Sequence, residues 1–397
     1  MTPFGSSPSS RREFLRTLPA LALAARMVAA EKPEAGRENI IPLTLSKGRT
    51  QWTTQQANDW YAQQPWMAGA NYLPRSAINQ LEMWQAATFD PKMIDEEMGW
   101  AQGLGFNVMR IFLHDLLWQQ DAEGFLQRIE QVLTICDRHG IRVMPVFFDS
   151  CWHPFPRLGP QPTPKAHTHN SGWVQSPGRE ILEDETKWPA LKPYVNGVIS
   201  RFRDDQRILL WDLYNELDNM SGPTPYRPME IPDKKERSLK LAQQVRVWAL
   251  AANPTQPVSC CLWSNHTKPL AAMAPWERWQ IESSDVLTFH IYSNLDATKQ
   301  AIAALKQYHR PLICTEYMAR PRGSTFQDIM PLFKAEKIAA INWGFIDGKS
   351  QTKFAWDSWD KTYPADPEVW FHDILRGDGT PYRADEVKLI RTLTGVK

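Results

Sequence analysis

Glu216 closes the apolar run ILLWDLYNEL (208–217), and Glu316 lies in PLICTEYMAR (311–320), one hundred positions further on. A carboxylate at the mouth of a buried strand is costly to hold unless it has a partner or a task. Two of them, each at a strand end, are what glycoside hydrolysis requires. One carboxyl protonates the leaving oxygen, and one carboxylate meets the developing sugar cation. Either glutamate alone could be half of a buried ion pair with an arginine. Together they point to a shared site.

Such a site needs rigid elements to converge the two groups. Eight short apolar runs read as strands: Trp66–Asn71, Asn107–Phe112, Arg142–Phe148, Ile208–Asn215, Val258–Trp263, Val286–Tyr292, Leu312–Glu316 and Ala339–Phe345. Several are apolar throughout, as strands covered on both faces should be. Between them lie helix-like segments at Pro91–Leu104, Ala122–His139, Trp188–Asp204, Asp233–Ala252, Ala297–His309 and Gln327–Glu336. Strand alternating with helix eight times predicts a single (β/α)8 TIM barrel. An open doubly wound sheet is the weaker reading, because no G-x-G-x-x-G or P-loop sequence follows any strand. Three long loops, Asp149–Thr186, Leu217–Lys234 and Asp347–Pro381, then fall on the C-terminal face of the strands, where barrel sites are built. The last, carrying Trp356, Trp359 and Trp370, is expected to cross one end of the groove and leave a pocket whose indoles stack sugars.

The order of these residues resembles clan A of the glycoside hydrolases, which includes family 5 and the catalytic barrels of family 2. Asn215-Glu216 ends the fourth candidate strand and Glu316 the seventh; the resemblance makes Glu216 the acid/base and Glu316 the nucleophile. Arg110, ending the second strand, resembles the arginine that steadies the nucleophile. His290-Ile291-Tyr292 resembles the clan's His-x-Tyr pair, and Trp343 the tryptophan flooring the sugar site. Segments 342–359 and 367–382 resemble proteins labelled 1,4-β-xylanase-like or cellulase-like. The resemblance implies a retaining β-glycoside hydrolase that needs neither cofactor nor metal.

Elementary chemistry agrees with those roles. A guanidinium at Arg110 and a phenol at Tyr292 would lower the pKa of Glu316, while burial would raise that of Glu216. Asn215 is placed to reach a sugar 2-hydroxyl, and Asp149, Trp152 and His153, ending the third strand, to bind sugar hydroxyls. Asp212, two pleats below Glu216 on the same strand face, reads as a structural hydrogen-bonding group. His167-Thr168-His169 has the form of a metal-binding H-x-H, but it sits in a proline-rich loop rather than on a strand. Two other readings share the scaffold: a transglycosylase, and a carbohydrate-binding barrel that has lost catalysis. The second usually lacks one carboxylate, and both are present.

Composition sets outer bounds. The chain has 397 residues, 43% hydrophobic, with a net charge of +1. Near neutrality removes the electrostatic case for a nucleic-acid or anionic-membrane partner; the partner that the clan A resemblance implies is carbohydrate. Five cysteines, without zinc-ligand spacing, indicate no disulfide framework. Residues 1–30 read as a signal peptide: Arg11-Arg12 with Phe14-Leu15 resembles the twin-arginine motif, an alanine-rich stretch follows, and Val28-Ala29-Ala30 offers a cleavage site. Ala30 is followed by Glu31 rather than cysteine, which argues against a lipid anchor. Removing four arginines and one glutamate with the leader takes the charge to −2, with 31–397 as the exported catalytic domain.

Overall fold

Eight parallel strands form the centre of the molecule: β1 (Ala68–Tyr72), β2 (Val108–Phe112), β3 (Arg142–Asp149), β4 (Trp211–Asn215), β5 (Val258–Ser259), β6 (Leu287–His290), β7 (Leu312–Glu316) and β8 (Ala339–Asn342). The structure, a computed structural model, describes residues 48–396 apart from Pro223; the leader lies outside the described residues. Ladders run β5-β4-β3-β2-β1-β8-β7-β6. The seam between β5 and β6 is bridged by Leu262, whose N–H donates to Thr288 O (3.0 Å) and whose carbonyl accepts from His290 N (3.1 Å). The sheet is thus a (β/α)8 barrel, as the alternation predicts.

Nearly every strand residue is buried, which explains the continuous apolar runs. The polar exceptions cluster near the strands' C-terminal ends. Register aligns Asn71 with Arg110, Asp149 with Asn215, and, across a bulge after Phe289, His290 with Glu316. At the opposite mouth the helix Thr54–Ala62, held by a Thr53–Gln56 capping box, closes the barrel floor. There Trp52, Trp60 and Tyr61 pack beneath Met67, Val108, Met144 and Ile313.

Differences from the sequence reading have local causes. The last regular residue of β5 is Ser259, because Cys260 N–H donates to the Ser284 hydroxyl (3.1 Å) instead of a ladder carbonyl. The helix expected from Ala122 starts at Asp115, capped by the His114 ring, and kinks at Asp121. The segment expected as one helix over 188–204 is a 3-10 stretch, Glu185–Leu191, carrying Pro189, followed by the helix Lys192–Phe202. Helices at Gln80–Trp84, Arg179–Leu182, Pro275–Ser283 and Ala384–Thr394 are not among those expected from the sequence; the first two, of five and four residues, are too short to show a helical period. Among the described residues, no helix is long and apolar enough to cross a membrane.

Candidate active site

Arg110 is the hub of the polar layer, fully buried in the middle of β2 rather than at its end, since the strand runs on to Phe112. Its Nε and Nη2 donate to Asp212 Oδ2 (3.0 and 2.8 Å), and Nη2 also to Asn215 Oδ1 (2.7 Å). Nη1 donates to Asn71 Oδ1 and Glu316 Oε1, both at 2.8 Å. A buried guanidinium is tolerable when its donors are matched and its charge is paired, and here both conditions hold. Asp212 therefore acts within the floor, as its depth on β4 suggests. Asn215 is fixed from both sides, since its Nδ2 donates to Asp149 Oδ1 (2.9 Å). Asp149 is fixed in turn, its Oδ2 accepting from Trp173 Nε1 (2.6 Å).

Above this layer the two glutamates meet across His290. One ligand atom each from Glu216, His290 and Glu316 lie within 4.8 Å of one another. Glu316 is 4% exposed and accepts from the Tyr292 hydroxyl at Oε2 (2.7 Å) as well as from Arg110. Glu216 is 7% exposed, and its backbone stands at φ +44°. Its Oε2 accepts from Asn219 Nδ2 (2.6 Å) and the Cys151 thiol (3.4 Å), and its Oε1 lies 2.8 Å from His290 Nδ1. Burial holds His290 down at about 4, so the ring is neutral near pH 7.

Burial also pushes both carboxyls above the usual range. On Glu316 the Arg110 charge and the Tyr292 hydrogen bond pull the other way, and burial outweighs them. The lowering by Arg110 and Tyr292 expected from the sequence is present, but the desolvation of Glu316 reverses the net direction. Glu216 has chiefly the hydrogen bonds of Asn219 and Cys151 against burial. The same three side chains could offer a metal three donors. A cation there would stand beside the Arg110 guanidinium and compete with Tyr292 and Asn219 for the same oxygens. The donor set suits a carboxyl pair better than a metal.

The pair opens into a cavity of about 380 Å³. Asp149, Trp152, Asn215, Tyr292, Trp343 and Trp356 line it with the two glutamates, while Arg110 and His290 lie beneath. Trp343 meets Phe112 and Trp173 edge-on, at 5.9 and 5.6 Å. His153 is not among the lining residues: its ring packs on Tyr226 (4.9 Å) and its Nδ1 accepts from Phe155 N (3.1 Å). Trp359 and Trp370, expected to stack sugars, are spent on packing, against Trp152 (5.8 Å) and Tyr382 (4.4 Å). Cys151, Trp173, Asn219 and Trp263 line the cavity and escaped sequence reasoning. All four stand on loops or beyond regular strands, where no periodicity marks which way a side chain points.

A family model described as cellulase (glycosyl hydrolase family 5) matches residues 77–361. No curated protein matches the sequence. Among solved structures, a GH5_18 protein from Streptomyces cattleya in complex with GlcNAc aligns with a TM-score of 0.53 at 12% identity, over 82% of this chain and 80% of that one. An endo-β-1,4-mannanase from Thermotoga petrophila aligns at 0.52 and 15% identity, over 85% and 78%. A calcium-binding mutant of Bacteroides uniformis β-glucuronidase 2 aligns at 0.51 and 12% identity, over 84% of this chain and 35% of that one. At such identities these likenesses establish the fold alone.

Proposed function

This chain belongs to glycosyl hydrolase family 5, and from that premise we propose that it is a retaining β-glycoside hydrolase working through a covalent glycosyl-enzyme on Glu316. That it is a glycoside hydrolase acting on carbohydrate follows from the family. The observation that carries the finer reading is the asymmetry between two carboxyls held close together. Glu316 has a guanidinium and a phenol on its oxygens, which favour the anion that attacks the anomeric carbon. At Glu216 burial favours the acid that protonates the leaving oxygen, and the hydrogen bonds of Asn219 and Cys151 offset it only in part. One oxygen of each carboxyl lies within 4.8 Å of the other, which supports the close pair of a retaining enzyme, about 5–5.5 Å, over the about 6.5–9.5 Å that leaves room for an inverting water.

In the first step the Glu316 carboxylate bonds to the anomeric carbon as the glycosidic bond breaks, and the Glu216 proton goes to the departing oxygen. Esterification removes the charge on Glu316, so the pKa of Glu216 falls and it can take a proton from water. That water attacks the anomeric carbon, releasing the sugar with retained configuration and restoring both groups. Trp343 floors the sugar ring, and Asn215, clamped by Asp149 and Arg110, presents its amide at the ring's edge.

The test is chemical rescue on activated aryl glycosides. Glu316→Ala should lose nearly all turnover, roughly 10⁵-fold or more, and azide should restore it with a glycosyl azide of inverted configuration. Glu216→Ala should keep activity on good leaving groups and give azide product of retained configuration. Exchange of the two patterns would overturn the assignment. We also propose that Arg11-Arg12 directs export by the twin-arginine route; normal secretion of the Arg11→Lys, Arg12→Lys double variant would refute it.

A further inference from the structure

Resting on the retaining-hydrolase reading, we infer that the site admits one sugar on the non-reducing side of the broken bond, so that the enzyme removes terminal monosaccharides. The chemistry fixes which end of the cavity is which. The attacked sugar lies against Glu316, over Trp343 and beside Tyr292, and the leaving group departs past Glu216. A longer chain on the non-reducing side would continue away from Glu216, past Trp343, Trp173 and Asn170.

Those three residues are a partition. They line the 380 Å³ cavity on one face and a second cavity of about 30 Å³ on the other. That second space has room for only about two waters, too little for a pyranose ring. Toward β7 the way is taken by Trp356, edge-on to Tyr292 (5.1 Å) and Phe371 (4.9 Å) with the Arg322 guanidinium over its ring.

What fills the space of an open groove is a strap. The loops after β3 and β8 are joined to each other, and the two strands between them in the sheet order are β2 and β1. Asn170 N donates to Ser350 O (2.9 Å), His169 N to Ser358 Oγ (3.0 Å) and His167 N to Gln351 Oε1 (2.8 Å). The Trp152–Trp359 stack, at 26° between planes, adds an apolar joint. The loop after β1 is tied in as well, through Asn79 Nδ2 to Gly172 O (2.8 Å) and Lys349 N to Arg75 O (3.0 Å). Opening the strap would strip several buried polar groups of their partners at once, so it is a wall rather than a lid. Past Glu216, by contrast, Gly222 and Arg227 on the cavity rim are exposed, and a long aglycone has a way out.

The experiment compares nitrophenyl β-D-glucoside, mannoside, galactoside and xyloside with the nitrophenyl β-1,4-biosides of the same sugars. At least one monoglycoside should release nitrophenol at once. Its bioside should release free monosaccharide first and nitrophenol only after a lag, with direct loss of intact disaccharide slower by on the order of 100-fold. Nitrophenol from a bioside without a lag, together with intact disaccharide, overturns the proposal while leaving the hydrolase reading standing. Turnover of none of these glycosides, or turnover that survives Glu316→Ala, sinks the hydrolase reading and this inference with it. Asn170→Gly sharpens the result: position 170 stands at φ +45°, which glycine adopts freely, so the fold is kept while the partition thins. That variant should shorten the lag; an unchanged lag would mean that the partition is not what limits chain length.

Discussion

Around Glu316 the barrel supplies a buried guanidinium and a phenol, both anchored on regular strands or just beyond them. Around Glu216 it supplies an amide, a thiol and a neutral imidazole, two of them from loops. The two carboxyls are nearly equally buried, so desolvation alone would give them the same chemistry. What separates them is the charge of their partners. Fixed charge on one side and neutral dipoles on the other is how two identical groups a few ångströms apart take opposite roles.

The largest expected effect comes from removing the charged side of that contrast. Arg110→Met leaves Asp212 and Glu316 buried without their partner, and should cost about 3–5 kcal/mol of stability. Wherever the variant still folds, kcat/KM should fall by roughly 10²–10³-fold, and the pH at which activity appears on the acid side should move up, since Glu316 loses what favours its anion. Denaturant unfolding with a pH–rate profile reads both. An unmoved acid limb would show that Arg110 only braces the floor.

A smaller effect should follow on the neutral side. The Asn219 hydrogen bond favours ionised Glu216, so Asn219→Ala raises the pKa of that carboxyl further. Glu216 then keeps its proton to higher pH, and the alkaline limb of kcat/KM should shift upward. The loss near neutrality should be a fraction of the about 10²–10⁴-fold that general acid–base catalysis contributes. Smallest is Cys151→Ala, with the same sign and a lesser shift, because a thiol is a weak donor. A downward shift in either variant would break the comparison.

The barrel was legible because strands buried on both faces must be apolar from end to end, and each of the eight runs is bounded by helix or turn residues. The carboxyls were legible because a charged residue ending such a run has few other reasons to be there; Arg110, within β2, and Tyr292, beyond β6, were legible through the resemblance to clan A. Asn219 and Cys151 carried no such mark. Each is a short side chain on a loop, and its contact with Glu216 exists only once loops far apart in sequence are folded together. The strap was half legible: the length of the loop after β8 pointed to a wall. Its other half, the segment His167–Asn170, carried a metal-like His pair whose actual work is to hydrogen-bond the β8 loop.

Glu216 stands in the left-handed backbone region, which a residue with a Cβ occupies at a penalty of about 1–2 kcal/mol. Glycine would sit there without that penalty and would also free the fold from burying a carboxyl. A sequence chosen for thermal endurance alone would therefore not place glutamate at 216. The glutamate makes the barrel a slightly worse solid so that it can be a catalyst, and the most stable point variants of this protein should be sought among those that have stopped turning over.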